Sequence, residues 1–198
     1  MAMAKRAEKR PNWLNRADLS KATQVALVAV FTLLAFAFHY GAVRSADYYA
    51  VLVLSACGWL AFEVVATRPG ARRIGRALLL GLFLSAFDFL VETLGGVFGL
   101  WTTHYSALPL GFVPAEIALL CLVGGTAWAL YIPKKMGLAG AAVDVFVFAF
   151  FGALGEALLI EAGLMRYAGG WNSWLAFAAY AVTFALLHAV HGMLFRDA

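Results

Sequence analysis

Hydrophobic residues form six long blocks along the chain, and short polar connectors separate them. A helix needs about 20 residues, at a rise of about 1.5 Å each, to cross roughly 30 Å of membrane hydrocarbon. Every block reaches such a length and holds few charged residues. The pattern therefore predicts an all-α, polytopic membrane protein folded as a bundle of six transmembrane helices. These helices are expected, roughly, over residues 23–43, 47–66, 76–100, 107–132, 138–164 and 171–195.

The composition agrees with this pattern and bounds the domains. Hydrophobic residues make up 64% of the chain and charged residues only 13%, whereas a soluble domain carries about 25% charged residues. The first block is long enough to span a membrane and is not followed by a clear cleavage site, so we interpret it as a helix and not as a signal peptide. We predict a basic cytoplasmic segment over residues 1–22 and a single transmembrane domain over 23–198.

Basic residues are distributed unevenly between the two sides of the predicted bundle. Thirteen of the 15 lysines and arginines fall on the side that holds both termini, and only Arg44 and Arg166 fall on the other. Short loops rich in Lys and Arg stay on the cytoplasmic side of a membrane. We therefore predict a multi-pass protein of the inner (cytoplasmic) membrane, with both termini cytoplasmic and the lipid bilayer as its surroundings. The net charge of +4 reflects this topology, so no nucleic-acid partner is expected.

Acidic residues inside the apolar blocks are the main candidates for function. Asp88 and Glu92 lie four residues apart in the third block and therefore on one helix face. A charge at the centre of a membrane helix costs at least about 2.5–3.5 kcal/mol, so both should face the bundle and at least one should carry a proton. Glu116, two residues after a Pro114 that is expected to kink the fourth helix, and Glu156 are predicted at similar depth. The four acids form the predicted catalytic set.

The third and fifth blocks also share a weak internal repeat. Six residues of the third block recur 64 positions later, at Phe151, Leu154, Glu156, Leu158, Gly163 and Leu164. The Glu pair is the informative match because acids are scarce in this chain. A duplicated helical unit and a chance match of abundant residue types both account for the pattern.

A membrane-embedded pocket with several carboxyl groups and aromatic walls suits three roles. A neutral acid can protonate an alkene while aromatic faces stabilise the resulting cation. Intramembrane acids can also relay protons or bind cations for transport, or they can be structural, with donors in the core satisfying them. The residues expected to contact a hydrophobic ligand are Phe87, Trp101, Tyr105, Phe112 and Tyr180.

The segment from Asp88 through Gly99-Leu100-Trp101 to Gly111-Phe112-Val113-Pro114-Ala115-Glu116 resembles the small multi-helix lycopene cyclases and related membrane proteins of carotenoid biosynthesis. The resemblance covers about 30 residues. It implies acid-initiated cyclisation, an isomerase reaction, or hydration of the end of a linear carotenoid or related isoprenoid, with no metal and no cofactor. Asp88, Trp101 and Glu116 would inherit the site. One departure is Ile117, which stands where the family's Pro-x-Glu-Glu motif has its second Glu.

A second interpretation belongs to a different functional class. The chain could instead be a non-catalytic accessory subunit of a larger membrane complex, or a lipid- or pigment-binding protein, in a homo- or hetero-oligomer. His188 and His191 lie three residues apart on one face of the sixth helix. No Glu-x-x-His motif accompanies them, so we expect hydrogen-bonded or proton-relaying histidines and no metal site.

Overall fold

The computed structural model describes residues 30, 33, 48–104, 106–133 and 136–195. Helices account for 76% of these residues, so the chain is mainly α-helical, as its hydrophobic pattern predicts. The basic segment 1–22 lies outside the described residues, and so does the first predicted helix over 23–43 except for residues 30 and 33. The five later predicted helices are present.

Four of these helices are long and apolar enough to cross a membrane, which indicates a multi-pass membrane protein. The helix between them in sequence, α3, has only 17 residues. The helices are α1 (Tyr48–Thr67), α2 (Ala71–Val97), α3 (Ala115–Tyr131), α4 (Leu138–Glu161) and α5 (Ser173–Leu194).

Short strands, which the hydrophobic pattern did not predict, lie in the connections at one end of the bundle. Strands β1 (Trp101–Thr103) and β4 (Met165–Tyr167) pair antiparallel, and we call this pair the ribbon. Strands β2 (Pro109–Leu110) and β3 (Val113–Pro114) form a second antiparallel pair, the hairpin. The end of the bundle that carries the ribbon and hairpin is the ribbon end.

The helices α2 and α4 end in the same way before they enter the ribbon. Each is followed by a glycine in the left-handed region, Gly99 with φ of 65° and Gly163 with φ of 71°. A side chain is disfavoured in this conformation, which explains why glycine occupies both positions. The two glycines are 64 residues apart.

The hydrogen bonds that join the two strands repeat with the same offset. The amide of His104 donates to the carbonyl of Leu164 at 2.7 Å, and the amide of Ala168 donates to the carbonyl of Leu100, also at 2.7 Å. His104 and Ala168 are 64 residues apart, and so are Leu100 and Leu164, so the two bonds join equivalent positions of the repeat. The α2–β1 and α4–β4 segments therefore share backbone geometry, beyond the residue types that match between them.

The structure corrects the expectation for the fourth helix. Helix α3 begins at Ala115 and not near residue 107, and Pro114 ends β3 directly before it, so this proline does not kink a helix. Proline is tolerated at a helix start because the amides there have no partner within the helix. Gly95 and Gly96 lie inside α2, which continues to Val97.

Close packing organises the helices into two groups. Helix α3 packs against α1 and α2, and α4 packs against α5. The approach of α2 to α3 depends on Gly81, where a Cβ atom would overlap the Leu122 carbonyl and the Thr126 hydroxyl. The ribbon and a contact between α2 and α5 join the two groups. The interface between the groups is where the intramembrane acids lie.

Candidate functional site

Three of the four predicted catalytic acids converge between the two helix groups. Asp88 and Glu92 of α2 interact electrostatically with each other and with Glu156 of α4. Tyr180 of α5 interacts with all three. We call Asp88, Glu92 and Glu156 the carboxyl cluster. The i, i+4 spacing brings the first two to one face, as predicted, and the packing of α4 and α5 supplies the others.

An indole ring from the ribbon fixes Glu92. The Nε1–H of Trp101 donates to Glu92 Oε2 at 2.8 Å, and Trp101 is only 5% exposed. The ring lies directly against the backbone of Gly95, where a Cβ atom would overlap it. Its other neighbour is Trp171, whose ring centroid is 4.7 Å away. Trp101 is thus held between a glycine and a second indole, with its N–H aimed at the carboxyl group.

A phenol from the opposite strand fixes Glu156 in a similar way. The Tyr167 hydroxyl donates to Glu156 Oε2 at 2.5 Å. Burial and the adjacent Glu156 carboxylate raise the pKa of the Tyr167 phenol well above its usual value, so this hydroxyl remains a donor. Tyr167 lies directly opposite Trp101 in the ribbon. One cross-strand pair therefore supplies the donors for both glutamates of the repeat.

The remaining carboxyl group, Asp88, is less well satisfied. Its Oδ2 atom is buried and accepts no hydrogen bond from the described residues. The thiol of Cys121 on α3 interacts with Asp88. The ring of Tyr180 approaches the cluster over Gly152, where a Cβ atom would meet the ring at 2.5 Å. A buried carboxyl oxygen without a donor is unusual, and Asp144 Oδ1 is another among the described residues, but Asp88 alone of the two lies beside other carboxyl groups.

Glu116, in contrast, is not part of the carboxyl cluster. The Ser106 hydroxyl donates to Glu116 Oε2 at 2.6 Å, and the Ala107 amide donates to Oε1 at 2.8 Å. These bonds close the segment that leads into the hairpin, and the Ala115 amide adds a bond to the Leu108 carbonyl at 3.0 Å. Glu116 lies in the first turn of α3, where a negative charge is favourable. Its observed contacts hold residues 106 and 107 against the start of α3, and we call this role a loop clamp.

A cavity of about 310 Å³ opens beside the cluster at the ribbon end. Among the carboxyl groups of the described residues, only Glu92 lines it. Since one water-sized group occupies about 30 Å³ of liquid, the cavity holds roughly ten heavy atoms. It is lined by Glu92, Gly96, Trp101, Thr102, Thr103, His104, Ser106, Pro109, Gly111, Phe112, Val113 and Pro114.

The predicted ligand-binding residues are therefore divided. Trp101 and Phe112 line the cavity, and Tyr180 faces the carboxyl cluster. Phe87 stacks on Phe83 with a centroid distance of 6.1 Å and does not line the cavity. Tyr105 lies outside the described residues.

A second buried polar group lies toward the other end of the bundle. Asp144 of α4 is 2% exposed, and its Oδ2 atom lies 2.9 Å from His188 Nε2 of α5. The Trp128 indole of α3 donates to the same oxygen at 3.1 Å. His191 packs beside this indole, with ring centroids 5.9 Å apart. Within residues 48–104, 106–133 and 136–195, no group of three or more His, Cys, Asp or Glu side chains is arranged to hold a metal ion.

Sequence reasoning missed two residues of the site, Tyr167 and Cys121. The match of Gly99-Leu100 with Gly163-Leu164 could have indicated that similar segments follow α2 and α4, but nothing in the sequence indicates that they pair. The chain matches no protein-family model, and no curated protein or solved structure is significantly similar to it. The function is therefore inferred from the site itself.

Proposed function

We propose that this chain is a membrane-embedded enzyme that acts on one end of an apolar isoprenoid polyene, such as a linear carotenoid, by acid-initiated cyclisation or hydration. The carboxyl cluster supplies the proton, and the cavity beside it holds the reacting end. One observation carries the proposal: carboxyl groups from two helices converge inside an apolar bundle. The lycopene-cyclase-like reaction expected from the sequence is retained, with Glu116 removed from the catalytic set.

The free-energy cost of the cluster argues against a purely structural role. Each charged acid at membrane depth costs at least about 2.5–3.5 kcal/mol, and neighbouring carboxylates also repel one another. Structural acids would need donors to offset that cost. Glu92 and Glu156 have ring donors, but Asp88 Oδ2 has none among the described residues. An acid kept neutral for proton transfer accounts for this arrangement.

Glu92 is the proposed proton donor because it alone of the cluster lines the cavity. Its carboxyl proton is transferred to the terminal C=C bond, which forms a C–H bond and leaves a tertiary carbocation. A neighbouring C=C bond attacks the cation and closes a ring through a new C–C bond. Loss of a proton from an adjacent carbon to the Glu92 carboxylate restores the acid, so the reaction is an isomerisation. In hydration, water adds to the cation and returns the proton.

Other residues of the site would stabilise the cation. The faces of Trp101 and Phe112 line the cavity, and aromatic faces attract positive charge. Glu156, held by the Tyr167 hydroxyl, supplies a fixed counter-charge close to Glu92. Asp88 lies one helical turn from Glu92 and adds a third carboxyl group beside the proposed donor.

The size of the cavity restricts how such a substrate would bind. Room for about ten heavy atoms suits one end group of a polyene and not a whole carotenoid. The rest of the chain would then remain in the membrane hydrocarbon. In this mode of binding, only the reacting end of the substrate has to leave the bilayer.

We also propose the topology in which this site would work. The first apolar block, residues 23–43, and the 17-residue helix α3 would both be spans besides the four long helices, which makes six in all, and the ribbon end would face away from the cytoplasm. Among the described residues, Arg166 is the only lysine or arginine of the ribbon end, whereas Arg68, Arg72 and Arg73 lie at the opposite end. This asymmetry supports the proposed topology, in which both termini are cytoplasmic and the protein lies in the inner membrane. The oligomer, whether of this chain alone or with other subunits, would form in that membrane.

The first experiment is an absorption spectrum of the detergent-purified protein, with mass spectrometry of its organic extract. A stoichiometric polyene or isoprenoid is expected. The protein is then reconstituted in nanodiscs with lycopene, and products are separated by chromatography. Glu92→Gln should lower the rate at least about 10²-fold, the usual contribution of a general acid.

Glu161→Gln provides the matched control. Glu161 is exposed at the end of α4, outside the carboxyl cluster, so this variant should keep the wild-type rate. Equal rates in the wild type and Glu92→Gln would refute the assigned donor. A colourless protein that forms no product and co-purifies only with phospholipid or other subunits would refute the enzyme and favour the accessory-subunit interpretation.

A further inference from the structure

Exposed apolar side chains lie on two sides of the cavity. On the hairpin side, Leu108 is 62% exposed, and Leu110 and Phe112 are also exposed. On the side of α2, Val97 and Phe98 are 61% and 71% exposed. The two sides are in direct contact, because the Phe112 ring lies on Gly96, where a Cβ atom would meet it at 2.5 Å. The hairpin and the end of α2 therefore form one continuous apolar surface, while the ribbon side of the cavity is polar, with Thr102 and His104.

This surface continues along the bundle. Leu90 and Leu94, about two turns and one turn before the end of α2, are exposed as well. Helix α2 is one of the four helices with the length and composition of a membrane span, so an exposed apolar face on it suits contact with hydrocarbon. The hairpin and the end of α2 extend this apolar face toward the ribbon end.

The hairpin segment has a composition that suits the same surroundings. Residues 106–114 contain no charged side chain. The strands pair with each other, and the carboxyl group of Glu116 accepts from Ser106 and Ala107, so part of the polar backbone of this segment is satisfied within the protein. Non-helical backbone is tolerated at membrane depth only where such partners exist.

We propose that the hairpin lies within the membrane and that the cavity opens sideways into the hydrocarbon of the leaflet at the ribbon end. The occupant of the apolar surface is lipid, and the ligand enters the cavity from the bilayer between the hairpin and α2. The identity of that ligand rests on the proposed function, whereas the depth of the hairpin does not. A water-facing mouth would instead admit soluble ligands.

The depth of the hairpin can be measured without any activity. A nitroxide label is attached to a Leu110→Cys variant in a Cys57→Ser, Cys121→Ser background, since both native cysteines are free thiols, and the protein is reconstituted in phosphatidylcholine nanodiscs. Collision rates with oxygen, which is concentrated in hydrocarbon, and with a water-soluble nickel chelate are compared by electron paramagnetic resonance. We expect a collision rate with oxygen several-fold above that with the nickel chelate.

An Arg166→Cys label provides the matched control. Arg166 is exposed on the ribbon, at the same end of the molecule, and should favour the nickel chelate. A Leu110 label that also favours nickel would place the hairpin in water and overturn the proposal. A Leu110 label shielded from both reagents would mean that protein, such as a second copy of this chain, covers the surface, which would overturn it too. If the Leu110 label is accessible to oxygen but the protein has no enzymatic activity, the proposed function is refuted and the proposed position of the hairpin in the membrane is supported.

Discussion

Thr102 and Arg166 face each other at the centre of the ribbon, and they are also 64 residues apart in the sequence. The two positions are therefore equivalent in the internal repeat. A rotation that exchanges them also exchanges the two strands and the helices that lead into them. The ribbon thus marks a local two-fold relationship between α2 and α4, with Glu92 on one side and Glu156 on the other.

The repeat is not symmetric in its connections, and this difference creates the cavity. After β1, residues 104–114 include the hairpin before α3 starts. After β4, only residues 168–172 lead to α5. The hairpin forms one wall of the cavity, so the cavity lies on the side of Glu92 and not on that of Glu156. Two equivalent glutamates have thereby acquired different surroundings.

The equivalence of Gly99 and Gly163 can be tested by stability. Both have positive φ and open space around the Cβ position, so replacement by alanine introduces backbone strain without a clash. We expect Gly99→Ala and Gly163→Ala each to lower the free energy of unfolding by about 1–2 kcal/mol. Helical circular dichroism during titration from mild detergent into dodecyl sulfate measures this change.

Gly155→Ala is the control for this pair. Gly155 lies inside α4, also with nothing within 4 Å of the Cβ position and without a positive φ. Alanine is the better helix former, so this variant should gain about 0.5–1 kcal/mol. Equal effects for all three variants would show that the left-handed conformation is not the cause.

Gly95→Ala tests how closely the Trp101 indole packs against the backbone of α2. The added methyl group would overlap the indole and displace its N–H from Glu92. Overpacking of this kind costs about 1–3 kcal/mol. We expect lower stability together with a red-shifted tryptophan emission, because the buried indole moves toward more polar surroundings. An unchanged emission spectrum in Gly95→Ala would contradict the tight packing of Trp101.

Asp144→Ala tests the polar group that links three helices. The change leaves the Trp128 indole and the His188 imidazole without their shared acceptor. Leaving a buried donor unsatisfied costs about 1–3 kcal/mol, so we expect a loss in that range. Ser85→Ala is the comparison, because it removes a single bond to the Ala118 carbonyl across α2 and α3.

Single interhelical hydrogen bonds in membranes contribute on average about 0.6 kcal/mol. Asp144→Ala should therefore be clearly more destabilising than Ser85→Ala. A double-mutant cycle with His188→Ala gives the coupling between the acid and the imidazole. A coupling near zero would show that the 2.9 Å contact contributes nothing to stability.

Glu116→Gln separates a loop clamp from an acid catalyst. Glutamine cannot reproduce both carboxylate contacts, so the Ala107 amide should exchange with deuterium faster than in the wild type. A hydrogen bond to a charged group contributes about 1.5–3 kcal/mol, which corresponds to at least about tenfold in exchange rate. Mass spectrometry of peptides covering residues 106–114 measures it.

Ser106→Ala completes this test, because it weakens the clamp and leaves the carboxyl group in place. If Glu116 acts only as a clamp, both variants should affect turnover to a similar, partial extent. If Glu116→Gln abolishes turnover while Ser106→Ala preserves it, Glu116 is a catalytic acid, as expected from the sequence.

The sequence predicted much of the helical framework because membrane insertion depends on local properties. Hydrophobic length and the scarcity of charges located the five helices that the structure describes, with end points that differ by a few residues for most of them. The exception was α3, whose start was placed too early. There the hydrophobic run continues through the hairpin, and hydropathy cannot distinguish an apolar strand from an apolar helix.

The sequence also predicted a group of four acids, Asp88, Glu92, Glu116 and Glu156, since charged residues in apolar segments are costly wherever they lie, and the structure brings the first two together with Glu156. Only the tertiary structure decided that Glu116 clamps a loop, that Trp101 and Tyr167 donate to the two glutamates, and that Asp144 pairs with His188. These contacts join residues from separate helices or strands. Their formation depends on which helices pack together and on how the ribbon strands pair, and neither property is encoded in the periodicity of a single segment.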